Sequence, residues 1–69
     1  MASNTRVHAI RKHLEAHILM AKEELDILFD GIVGVADHPD YFNTVEDKLC
    51  QLAEYQGALD ALNAHFTED

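Results

Sequence analysis

Apolar residues recur along the first half of the chain at helical spacing. Val7, Leu14, Ile18, Ala21, Leu25, Leu28 and Ile32 follow one another in steps of three, four and once seven, and Ile10 and Phe29 widen the stripe. This period marks an amphipathic helix and predicts one over about residues 5–32. Ser3, Asn4 and Thr5 offer side-chain oxygens for its first turn. Gly31 and Gly34 can end it in the left-handed conformation that glycine tolerates. The second half repeats the pattern through Phe42, Val45, Leu49, Leu52, Gln56, Leu59, Leu62 and Phe66, which predicts a helix over about 44–66. Residues 33–43 form the joint. Pro39 cannot continue the first helix but suits the first turn of a second. Asn43 with Glu46 has capping-box spacing and Thr44 is a rival cap, so the second helix starts near Pro39 or near Thr44. Two amphipathic helices on a short joint fold back antiparallel. The expected fold is all-α, a single coiled-coil-like hairpin domain.

Both helices carry apolar or small residues outside these stripes. On the first, Leu19, Met20 and Ile27 lie off the seam; on the second, Ala53, Gly57 and Ala61 recur every fourth residue, where another backbone can approach closely. A chain of 69 residues buries only about 60% of its unfolded surface and usually needs a staple or association. An intrachain disulfide is excluded, because Cys50 is the only cysteine. The pattern therefore predicts a homo-oligomeric helical bundle, with Ile18, Met20, Ile27, Ala53, Gln56, Gly57 and Ala61 as interface candidates. Gln56 sits at a seam position, either fixing register there or lying along the interface edge.

Charge divides the chain unevenly. The net charge is −8, yet Arg6, Arg11 and Lys12 precede every acid, and only Lys22 and Lys48 follow them against 13 carboxylates. Phosphate recognition needs basic patches, so direct nucleic-acid binding by the acidic body is not expected. A basic protein surface is the expected complement, beside the simpler role of an acidic exterior that keeps the protein soluble. The polar first residues do not make a signal peptide, no apolar run spans a bilayer, and a single thiol suits a reducing compartment. The expectation is a cytoplasmic protein without a membrane partner.

Few residues suggest chemistry. His13 and His17 lie one helical turn apart and are the candidate metal ligands, with His65 or Asp60 as conceivable additions from the returning helix. Glu15 is two residues beyond His13, about 200° round the helix, so the zinc-protease arrangement is not formed. A hydrogen-bonded histidine at the seam edge is the simpler account of His17. Cys50, among small residues, reads as packing. Ser3 is the only serine and there is no glycine-rich phosphate loop, so neither an enzyme nor a cofactor is expected. The basic first turns form a candidate anion site of Arg6, His8, Arg11 and Lys12, with Tyr41, Phe42 or Tyr55 as a stacking face. Three functions fit: a homo-oligomeric protein-binding accessory or inhibitor such as phages and mobile elements encode, a sequestering oligomer for a phosphorylated nucleotide signal, or a structural subunit of a larger assembly.

Overall fold

A computed structural model describes residues 2–31 and 40–66, with side chains from residue 5 onward. Two helices make up the described chain: α1 spans Ala2–Asp30 and α2 spans Tyr41–His65. They run antiparallel, because Leu28 meets Tyr41, Glu24 meets Lys48, His17 meets Tyr55 and Arg11 meets Asn63. The result is a rod of 53 × 15 × 13 Å.

The helix ends differ from the sequence expectation. α1 begins at Ala2, so the proposed caps Ser3, Asn4 and Thr5 lie inside it. It closes with the Gly31 amide donating to the Ile27 carbonyl at 2.8 Å. Gly31 does not adopt the left-handed conformation; a Cβ there would instead sit 3.0 Å from the Ile27 carbonyl oxygen. Gly34, Pro39 and the rest of residues 32–39 lie outside the described residues. α2 begins at Tyr41 after Asp40, whose side chain makes no cap bond, and the Asn43–Glu46 box lies within the helix. The Thr44 amide donates to the Asp40 carbonyl at 2.9 Å, the first bond of the α2 ladder.

The seam follows a strict alternation of fours and threes. On α1 it runs Val7, Arg11, Leu14, Ile18, Ala21, Leu25 and Leu28; on α2 it runs Tyr41, Val45, Lys48, Leu52, Tyr55, Leu59 and Leu62. This 3.5-residue period belongs to two helices wound about each other. It corrects the sequence stripe on α2. Phe42, Leu49 and Gln56 lie one residue beyond the seam and are exposed, while Tyr41, Lys48 and Tyr55 take their places half-buried. Amphipathic side chains can do this, since Lys and Tyr bury an apolar body and keep a polar tip in water.

The core is thin. Ala21, Leu25 and Val45 are the buried residues among those described. Ile10, Leu19, Met20, Ile27, Phe29, Phe42, Leu49 and Phe66 stay exposed, Ile27 at 68% and Phe42 at 72%. A compact chain of 7.8 kDa would expose about 4,400 Å². This one exposes 5264 Å². Among the described residues no helix is long and apolar enough to cross a membrane.

Candidate functional site

The most organised side-chain cluster stands halfway along α1. His13 and His17 share a face because they are one turn apart, and their Nε2 atoms approach to 3.0 Å. At that separation one ring donates its N–H to the lone pair of the other, so one proton serves both nitrogens. The rings meet edge to face, with centroids 4.4 Å apart. The His17 ring then stacks on Tyr55 of α2, with centroids 4.6 Å apart and planes within 16°. The sequence offered Tyr55 only as a stacking face for an anionic ligand, not as the partner of His17. Its signal was available in the antiparallel register, which sets residue 55 opposite residue 17.

Other metal candidates do not join this pair. Among the described residues no group of three His, Cys, Asp or Glu side chains is placed to hold an ion. Glu15 turns away and pairs with Lys12 at 3.5 Å. Asp60 accepts a hydrogen bond from the Gln56 amide at 3.1 Å, and His65 lies against Phe66 at the open end. Gln56 is thus on the exposed side of α2, outside the hairpin seam where the sequence stripe had placed it. Cys50 is also exposed rather than packed.

The anion candidates are dispersed within one chain. Arg11 is a seam residue whose Nε–H donates to Asn63 Oδ1 at 2.9 Å, tying the open ends together. Lys12 is paired with Glu15, while Arg6 and His8 are exposed. Tyr41 lies at the opposite end, its hydroxyl donating to the Leu28 carbonyl at 2.9 Å. Twenty-two residues separate Arg6 from Leu28, about 33 Å of helix. A single hairpin cannot bring Tyr41 onto a ligand held by Arg6.

The interface candidates fall on the outer surface. Met20, Ile27, Ala53, Gln56, Gly57 and Ala61 are exposed and Ile18 is half-buried in the seam. A Cβ built on Gly57 would meet nothing within 4 Å. Two open apolar grooves flank the histidine pair. One, of about 430 Å³, is lined by Ile10, Leu14, Ala61 and Leu62. The other, of about 250 Å³, is lined by Ile27, Leu28 and the Lys48–Glu24 ion pair, which closes at 2.8 Å. Comparison with known protein families, with curated proteins and with solved structures returns no match.

Proposed function

We propose that this chain is a protein-binding module whose working form is a homo-oligomer of helical hairpins. The observation that carries the reading is the mismatch, among the described residues, between a core of three residues and eight exposed large apolar side chains. The surface beyond that of a compact chain is about 900 Å², close to the roughly 800 Å² that each partner buries in an interface of standard size. A second copy of the chain is the occupant that is always at hand, and it carries the same apolar faces.

The assembled rod keeps an acidic exterior at the joint end. Glu23, Glu24, Asp26 and Asp30 on α1, with Asp40 just before α2 and Glu46 and Asp47 on it, stand there against Lys22 and Lys48. Such a concentration of carboxylates suits a basic protein surface, which it would attract over a Debye length of about 8–10 Å. An accessory or inhibitory role follows from this chemistry: the rod docks on a basic surface and covers it.

Sedimentation equilibrium of the untagged chain under reducing conditions tests the reading. The expected result is a particle of two or more chains at micromolar concentration. A helical 7.8 kDa particle under the same conditions overturns it. For the docking step, a basic partner should bind more weakly as salt rises, and reversing Glu23 and Asp47 together should abolish its binding.

A further inference from the structure

A second stripe on α1 is complementary to its own reverse. Arg6, Ile10, His13, His17, Met20, Glu24 and Ile27 follow in steps of four and three, so they share one face beside the seam. Reversing this face about its middle sets Arg6 opposite Glu24, Ile10 opposite Met20 and His13 opposite His17. Each pairing matches in chemistry: a cation meets a carboxylate, an apolar side chain meets another, and imidazole meets imidazole. Helix stability does not account for the charges in this order. The dipole favours anions at the amino end and cations at the carboxyl end, whereas Arg6, Arg11 and Lys12 lie towards the first and Asp26 and Asp30 at the second.

We infer that two hairpins pair antiparallel across this stripe, and that His13 and His17 of each copy surround a zinc-class divalent cation on the twofold axis. The inference rests on the self-association proposed above and adds its register and its ligand. Charge along the rod selects the antiparallel sense. The joint half is strongly acidic, while in the open half Arg6, Arg11 and Lys12 balance Glu15, Glu54 and Asp60 among the described residues. Antiparallel copies lay each open half against the partner's acidic half; parallel copies would stack acid on acid. The partner's Met20 then covers the groove that Ile10 lines.

The histidine geometry is close to a chelate. A tetrahedral zinc ion with Zn–N of about 2.0–2.1 Å holds its ligand nitrogens about 3.3 Å apart. The His13 and His17 Nε2 atoms stand at 3.0 Å. For the metal to take the place of the shared proton, the donating ring moves that proton to its Nδ1, staying neutral, and the two rings part by about 0.3 Å. Stacking on Tyr55 already fixes the His17 ring plane. One chain supplies two nitrogens, and no third donor among the described residues joins them. The twofold supplies the other two at interaxial distances of about 8–10 Å. Four neutral imidazoles suit zinc, which accepts nitrogen ligands in tetrahedral closed sites.

Zinc titration of the untagged chain by calorimetry, with sedimentation of the zinc-free and zinc-loaded protein, tests the inference. The expected result is one zinc ion per two chains, a dimer tightened by zinc, and tetrahedral absorption when cobalt replaces it. His13→Ala, which leaves the His17–Tyr55 stack in place, should abolish stoichiometric binding, and His8→Ala should leave it unchanged. A zinc-free oligomer that takes up no zinc overturns the metal site while sparing the assembly. One zinc per chain on a dimer overturns the shared site, and a monomer with or without zinc overturns both.

Discussion

Leu19 and Met20 are neighbours on α1 with nearly the same exposure, 61% and 54%, and a single hairpin gives them nearly the same value. Full burial of either side chain contributes about 2 kcal/mol, so the buried two-fifths or so of each is worth about 1 kcal/mol in the lone hairpin. Both are good helix formers, and replacement by Ala changes helix propensity little. Leu19→Ala and Met20→Ala should therefore cost the same if the chain works alone. In the proposed antiparallel pair only Met20 would be covered, by Ile10 of the second copy. Losing its remaining burial and leaving a cavity raises the cost to about 2–3 kcal/mol per chain. Beyond the loss common to both variants, the dimer with two Met20 sites then loses roughly 2–4 kcal/mol, or about thirtyfold to a thousandfold in dissociation constant. Sedimentation equilibrium and urea unfolding followed by circular dichroism, each at two protein concentrations, read the difference. Equal shifts for the two variants, or a larger one for Leu19→Ala, would refute the assignment of this face.

Three further outcomes follow. Leu25 is 5% exposed, and Leu25→Ala should cost about 3 kcal/mol and lower the urea midpoint more than any substitution at an exposed position. Tyr41→Phe removes the part-buried bond to the Leu28 carbonyl and should cost about 1 kcal/mol, with faster amide exchange confined to the joint end. Arg6→Glu should weaken self-association in low salt, and adding Glu24→Arg should recover part of the loss, the remainder reflecting the broken Lys48 pair.

The two helices and their antiparallel return were legible because apolar spacing of three and four is a backbone property that survives without neighbours. The side of α2 that faces α1 was not. Phe42 and Leu49 are the more apolar residues, so hydropathy alone points the seam at them. Only the strict 3.5-residue period passes through Tyr41, Lys48 and Tyr55, whose buried stems and rings hydropathy undervalues. Arg11 was legible as a cation and not as a seam residue, because its partner, Asn63, comes fifty-two residues later. The meeting of His13 and His17 followed from helical spacing, whereas the Tyr55 ring stacked on His17 came from the register of the hairpin. The anion candidates failed to converge for the same reason: nearness to a helix end says nothing about which end of a rod a second helix presents.

The thin core of the described residues has a consequence for dosage. If folding is coupled to the self-association proposed above, the folded fraction rises with the chain's own abundance. Newly made chains at low copy number would then be short-lived substrates for proteases, and the population would persist only above a threshold of synthesis. Expression level would set not merely how much of the protein acts but whether a durable form exists to act, so a modest rise in promoter strength would read out as an abrupt rise in steady-state protein.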